Sequence, residues 1–449
     1  MDLKIIGNMN YAASIVQIKN IIELQGCNNI VGTHIYGNHV IVSKDAKVGD
    51  IGLYFPLECS ISSEFLKVNN LYREKTLNAD VTKSGFFEDK GRVRAVKLRG
   101  NKSEGFFIPI SSLQGLFELN SHEIYVQLQT EVGESFDTIN DFKLCEKYII
   151  SNRQHGQGNG NKKGKKPKES KIIDNQFRFH ESTAMLYKNL HRINPNDIIS
   201  LTYKIHGCAL CSSIILCNKK LSVFEKFLKL CKIKIQDTIY DNVYSSRTVV
   251  KNPDLNPNAQ HYYKQDIWGE ANKILLPYLK DGLTIYAEIC GYLSDGSMIQ
   301  KDYDYGCDIG KFEIYVYRLT YTSIPGQVYE FSCKQVQDWC KQNGLKAVPQ
   351  LYYGYAKDFV PDYLKLANSI DDRDIDLWRE KFREKIANDY LEKDCYICKN
   401  KVPAEGVVIR REINDFEAFK YKATAFYERE TKLLDANETN IEDNQEETL

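Results

Sequence analysis

A stretch from Asn152 to Lys171, NRQHGQGNGNKKGKKPKESK, sets the first limit on how this chain folds. It carries seven Lys/Arg against one Glu and offers almost nothing to bury, so it reads as a basic linker or loop. A chain of 449 residues is already too long for one compact core. The linker therefore predicts separate folding units on either side. With 43% hydrophobic and 12% aromatic residues, both sides can fill a core.

Before the linker, short β-like runs alternate with Gly and Asn turns: HVIVS at 39–43, IGLYFPL at 51–57 and GRVRAVKLRG at 91–100. In the last run Arg92, Arg94, Lys97 and Arg99 interleave with Val93, Ala95, Val96 and Leu98. Many short strands without helical periodicity predict a small barrel or sandwich. The basic residues fit a solvated strand face as well as a nucleic-acid-binding one, with Phe86, Phe87, Phe106 and Phe107 close in sequence. After the linker the chain mixes strand-like runs (DIISLTYKI, LTIYAEICGY, FEIYVYRLTY, AEGVVIRR) with helix-like ones (LSVFEKFLKLC, QDIWGEANKILLPYLK, DIDLWREKFREKIANDYLEK), an α+β pattern.

The formal net charge of zero conceals an uneven distribution. Residues 435–449 hold six Asp/Glu and no base, so the rest of the chain is basic and suited to a polyanionic partner. No signal peptide is legible at the start, and no run is long enough to span a bilayer. The expectation is a cytoplasmic monomer without a membrane partner. Thirteen cysteines at irregular spacing read as reduced thiols. Cys208/Cys211 and Cys395/Cys398 imitate half-sites for zinc, but residues three apart on a strand point to opposite faces.

Five segments beyond the linker form an ordered set: Lys204-Ile205-His206-Gly207 at a strand end, Arg247 in YSSRTVV, Glu288 in IYAEICGY, Glu405 in AEGVVIRR, and Lys420 and Lys422 in FKYKAT. Each alone has an ordinary reading: a solvated lysine, a turn glutamate, or the exposed face of a strand. Their order and strand contexts together resemble motifs I, III, IIIa, IV and V of the covalent nucleotidyltransferase superfamily of RNA ligases, DNA ligases and capping enzymes. K-x-H-G is similar to the RNA ligase branch, including the T4 RNA ligase 2 type. The flanking FRFHESTAMLYKNLHRINPNDIIS and MIQKDYDYG, with KVGDIGLYFPLE and GRVRAVKLRGNKSEGFFIPI upstream, resemble the Deinococcus and Naegleria type with an N-terminal OB module.

The resemblance implies an OB-like β-barrel over 1–145, a basic linker over 146–176, an α+β nucleotidyltransferase domain on antiparallel sheets over 177–427, and an acidic disordered tail over 428–449. It implies an ATP-dependent RNA ligase that seals 3′-hydroxyl and 5′-phosphate RNA ends, as at a nicked duplex, through AMP carried on lysine. Lys204 is then the nucleophile, which must attack as a neutral amine although an unperturbed lysine has a pKa of about 10.4. His206 and Gly207 border the nucleotide, Arg247 meets its ribose or phosphate region, and Glu288 accepts its ribose hydroxyls. Tyr317, sharing a strand face with Tyr315, stacks on adenine. Lys420 and Lys422 hold the α-phosphate. Glu405 orients Mg2+ or Mn2+ through water. Tyr203 stands where many relatives have Glu, and Cys208 and Ala209 where many have Thr and then Ser or Asn. DNA ligases and capping enzymes place an OB domain after motif V, for which the residues after Lys422 leave no room. The competing readings are a GTP-using capping-type enzyme and a non-catalytic RNA-binding protein on the same fold.

Overall fold

The computed structural model describes residues 1–117, 119–149, 171–253, 255, 263, 265–361 and 372–436. Within them the chain forms two compact units. The larger holds 171–186 and Leu190–Ala423. Its strands are β1 (Ala184–Met185), β2 (Ile198–Tyr203), β3 (Cys208–Asn218), β4 (Thr238–Ser245), β5 (Leu283–Gly291), β6 (Phe312–Thr322), β7 (Val328–Glu330), β8 (Lys346–Ala347), β9 (Gln350–Tyr355), β10 (Gly406–Glu412) and β11 (Phe416–Lys422). One sheet has the order β1-β11-β10-β2-β9, and the other the order β4-β3-β5-β6-β7 with β8 beside β6. Pairing is antiparallel except for β1 with β11 and β8 with β6.

The longer helices after β1 are α1 (Val223–Leu230), α2 (Ile267–Leu275), α3 (Cys333–Asn343) and α4 (Asp372–Tyr390) in this unit and α5 (Thr424–Asp435) in the smaller one. Asp266 starts α2 by accepting from the Gly269 amide. A Ser332/Gln335 capping box starts α3, and Gly344 at φ +67° ends it. Ile267, Trp268, Ala271 and Leu275 of α2, with Val336 and Cys340 of α3, pack on Ile285, Ala287 and Ile289 of β5. Alternation along β5 therefore reserves its other face, with Tyr286 and Glu288, for a different purpose.

A β-bulge extends that second face. Tyr286 lies opposite Arg318 and Ala287 opposite Val316, which leaves Tyr317 as an extra residue in β6. Strict alternation would turn Arg318 toward the helices. The bulge instead brings both Tyr317 and Arg318 against Tyr286, with ring centroids 6.4 Å apart for the tyrosines and the guanidinium 4.6 Å from the Tyr286 ring. Arg318 also lies 3.9 Å from the ring of Phe416 on β11, so it links the two sheets.

The smaller unit holds residues 1–149, Tyr187–Asn189 and 424–436. Its strands pair as one four-stranded sheet (Ser135–Phe136, Ala13–Gln17, Ile51–Phe55, Phe106–Pro109), one three-stranded sheet and three two-stranded ribbons. Among the described residues this pairing closes no barrel, contrary to the sequence expectation. Tyr36-Gly37, Arg99-Gly100 and Asn140-Asp141 each place two consecutive residues at positive φ, which makes tight two-residue hairpins.

Three further expectations need correction. The run 91–100 contributes only the strand Val96–Leu98. Arg92 is buried, donating to Glu58 at 2.7 and 2.8 Å and pairing with Asp435 at 3.1 Å, while Arg94 pairs with Glu88 and Asp435. Arg92 is thus engaged inside the protein, and Arg94 in ion pairs at its surface. The expected tail 428–449 begins inside α5, whose Phe426 is buried and whose Thr431 donates to Glu58 at 3.2 Å. Residues 437–449 lie outside the described ones, as does the core of the linker. The linker's ends are structured: Cys145–Lys147 pairs with Cys59–Ile61, and the Gln176 side chain donates to the carbonyls of Ser323 and Ile324.

Glu58 is the acceptor that makes burial of Arg92 tolerable, because an unmatched buried charge is costly. Glu58→Ala is expected to lower the unfolding free energy of this unit by ~3–5 kcal/mol in urea titration. A loss below about 1 kcal/mol, the range of an exposed pair, would show that Asp435 alone suffices.

Candidate active site

β2 belongs to one sheet and β3 to the other, so Lys204–Gly207 is the crossing between them. Three hydrogen bonds fix that crossing. The Lys204 amide donates to the Gly406 carbonyl at 3.0 Å, the His206 amide to the Tyr305 hydroxyl at 2.5 Å, and the Gln300 side chain to the Gly207 carbonyl at 2.7 Å. A Cβ on Gly207 would stand 2.5 Å from the Ile289 carbonyl oxygen and 3.2 Å from Glu288 Oε2. Only glycine lets the crossing lie this close to β5.

Glu405 precedes β10, and its side chain is only 2% exposed. Its Oε1 lies 2.9 Å from Lys204 Nζ and 3.0 Å from Lys422 Nζ, and its Oε2 lies 3.9 Å from His206 Nδ1. Gly406, at φ +143°, makes this entry possible, since a Cβ there would meet the Tyr421 carbonyl oxygen at 2.1 Å. Lys420 and Lys422 alternate on β11 and share a face, opposite Val408 and Gly406. Three lysines against one buried carboxylate leave a positive excess, suited to a polyphosphate.

Glu288 lies at the middle of β5, opposite Ala209 on β3 and Tyr315 on β6. Tyr317 joins that face through the bulge, and its hydroxyl is 2.6 Å from His180 Nδ1. Burial pushes the Tyr317 phenol well above its ordinary pKa, so it stays a neutral O–H. Arg247 follows β4 and donates to the Ser182 hydroxyl at 2.7 Å. Glu181 between them pairs with Arg318 at 3.2 Å. The segment 180–182 thus reaches Tyr317, Arg318 and Arg247 in turn.

The structure therefore brings Lys204, His206, Glu405 and Lys422 into direct contact and sets Gly207 against Glu288. Tyr317 shares the Glu288 face, and Lys420 the Lys422 face. Arg247 is tied to Ser182. Sequence reasoning missed the supports: His180, Ser182, Gln300, Tyr303 and Tyr305. All five lie in the flanking runs FRFHESTAMLYKNLHRINPNDIIS and MIQKDYDYG, in which no single residue had been given a role. Asp304 there is buried and accepts from the amides of Gly306, Lys399 and Asn400 at 2.7–2.8 Å. Burial would raise its carboxyl pKa, but these backbone donors hold it below the ordinary value. Asp304 thereby fixes Tyr305 under His206 and pins the loop carrying Cys395 and Cys398.

Tyr203 packs edge-on against Tyr396 of that same loop, with centroids 5.1 Å apart. Cys208 belongs to the core under α2. Among the described residues no group of three or more His, Cys, Asp or Glu is arranged to hold a metal ion.

Gly207→Ala tests the close approach of crossing and sheet. It is expected to destabilise the larger unit by ~1–3 kcal/mol in urea unfolding, the usual cost of overpacking. An unchanged midpoint would mean that the crossing has slack which these distances deny.

With this geometry in place, comparison with known proteins becomes specific. The chain resembles solved structures of Naegleria gruberi RNA ligase. A lysine-to-methionine mutant with AMP and Mn matches at 16% identity and TM-score 0.53, over 93% of this chain and 98% of that one. A lysine-to-alanine mutant with ATP and Mn matches at 15% and 0.53, over 95% and 99%. The same ligase with PPi matches at 16% and 0.53, over 94% and 99%. At such identity the likeness establishes the fold. A comparison with curated protein sequences finds no match. The family model described as RNA ligase matches residues 197–424, just over half the chain and every residue of the cluster from Lys204 to Lys422. This chain belongs to the RNA ligase family.

Proposed function

We propose that this protein is an ATP-dependent ligase that joins a 3′-hydroxyl RNA end to a 5′-phosphate through AMP carried on Lys204. The observation that carries the reading is the Glu405 carboxylate held between Lys204 Nζ and Lys422 Nζ at 2.9 and 3.0 Å. Nζ, once neutral, attacks the α-phosphorus of ATP; a P–N bond forms, the α–β bridging P–O bond breaks, and pyrophosphate leaves. Glu405 Oε1 is within reach of the proton that Nζ must lose. An RNA 5′-phosphate oxygen then displaces the lysine, and a 3′-hydroxyl finally displaces AMP.

The remaining residues take roles their positions support. Lys420 and Lys422 offset charge on the α-phosphate as the bond to pyrophosphate breaks. Gly207 leaves room for the nucleotide backbone beside Glu288, which accepts from the ribose hydroxyls. Tyr317 stacks on the base, Arg247 meets the ribose or phosphate region, and His206 lines the pocket beside Glu405. A divalent cation, Mg2+ or Mn2+, neutralises the phosphates when bound. Glu405 fits such a hard ion, since a lone carboxylate with water completing the shell suits magnesium. ATP, AMP and Mn in the Naegleria gruberi structures support the same cofactors here. The protein acts as a monomer on nicked duplexes.

Labelled α-phosphate tests the nucleotide and the nucleophile together. ATP is expected to label the full chain, and Lys204→Ala to lose all labelling and sealing while keeping RNA binding. Label from GTP alone would contradict the ligase reading and favour capping chemistry. Label retained in Lys204→Ala would place the nucleophile elsewhere.

The smaller unit holds the RNA beside the break. With Arg92 buried and Arg94 already paired with Glu88 and Asp435, the exposed Lys97 and Arg99 carry this role. Lys97→Glu with Arg99→Glu is expected to weaken nick sealing about tenfold while leaving lysine labelling intact, the loss falling as salt rises. Sealing at the wild-type rate would reject the role.

A further inference from the structure

α1 stands apart from every other helix of the larger unit. A Ser222/Glu225 capping box starts it, and none of its residues is buried. Val223, Phe224, Phe227 and Leu230 are 87%, 68%, 59% and 80% exposed, and Ile233 just beyond is 52% exposed. On a helix, positions 223, 224, 227 and 230 fall on one stripe. Monomers rarely leave such a patch of large apolar side chains in water without a use for it.

Charge surrounds the stripe. Lys219 and Lys220 precede α1, Lys226 and Lys229 lie on its polar side, and Lys232 and Lys234 follow it, against only Glu225 and Asp237. Lys219 pairs with Glu225 at 2.6 Å and Lys229 with Asp237 at 2.8 Å, which leaves Lys220, Lys226, Lys232 and Lys234 as exposed excess charge. The element lies between the antiparallel neighbours β3 and β4, so it is borne on the connection of a hairpin.

We propose that α1 is a docking surface for an anionic lipid bilayer. Lying in the interface, it would bury Val223, Phe224, Phe227 and Leu230 at the acyl boundary while the lysines extend to acidic headgroups. No described helix is long and apolar enough to cross a membrane, but an interfacial helix needs no such length. A second copy fits poorly, because each copy brings the same positive excess. Single-stranded RNA would match the lysines and phenylalanines but gains little from the exposed Val223, Leu230 and Ile233.

The full-length protein, mixed with phosphatidylcholine vesicles with and without phosphatidylserine, tests this by co-sedimentation. Binding is expected only to the serine-lipid vesicles, weakening as sodium chloride rises. Phe224→Glu with Phe227→Glu should lower vesicle affinity by at least about tenfold, with circular dichroism and lysine labelling unchanged. Lys220→Glu with Lys226→Glu should weaken binding chiefly at low salt. Failure of the wild-type protein to sediment at low salt, or undiminished binding by the phenylalanine variant, overturns the proposal. Loss of RNA binding in that variant, without vesicle binding by the wild type, assigns the face to nucleic acid instead. Vesicle binding is read without nucleotide, so the result stands apart from the ligase chemistry.

Discussion

The buried carboxylate of Glu405 is the constraint on which the rest of the larger unit depends. A charge this far from water is tolerable only with close cationic partners. Here those partners are Lys204 Nζ on the crossing and Lys422 Nζ on β11. That demand fixes backbone features at both ends. Gly406 must adopt a conformation without room for a side chain, so that Glu405 can enter. The Lys204 amide must bond the Gly406 carbonyl, so that the crossing stays beside it. One carboxylate thus ties the crossing between the sheets to β11.

The second sheet supplies the other half of the site by an unequal division of its faces. One face of β5 is spent on α2 and α3, leaving the other for Glu288 and Tyr286. The bulge at Tyr317 adds both Tyr317 and Arg318 to that side and lets Arg318 stack on Phe416 of the opposite sheet. A strand without the bulge would lose either the tyrosine or the bridge between sheets. Bulges are common beside active sites for this reason.

Much of the larger unit was legible because its chemistry is local. β2, β5, β6 and β10 each carry an apolar run of strand length, and the site residues sit at their ends or midpoints. What escaped the sequence depends on long-range closure. His180 meets Tyr317 across 137 residues, and Gln300 reaches Gly207 across 93. No periodicity announces such pairs. The smaller unit was misread for a related reason: Arg92 and Arg94 alternate like a solvated face, yet Glu58 draws Arg92 inward and the distant Asp435 pairs with both. The acidic segment taken for the start of a tail is, through Asp435, part of that ion-pair network. α1 was legible as a helix from its spacing, but not its exposure, since the same stripe would serve a buried helix equally well.

The central claim is that a single side chain, Lys204 Nζ, carries the nucleotide. Its most direct test is tandem mass spectrometry of the intact protein after incubation with ATP and magnesium, digested under neutral or alkaline conditions that preserve a P–N bond. The account predicts one adenylyl group per chain, located on Lys204. An adenylyl group mapped to Lys420, Lys422 or any other residue, with Lys204 unmodified, would contradict it.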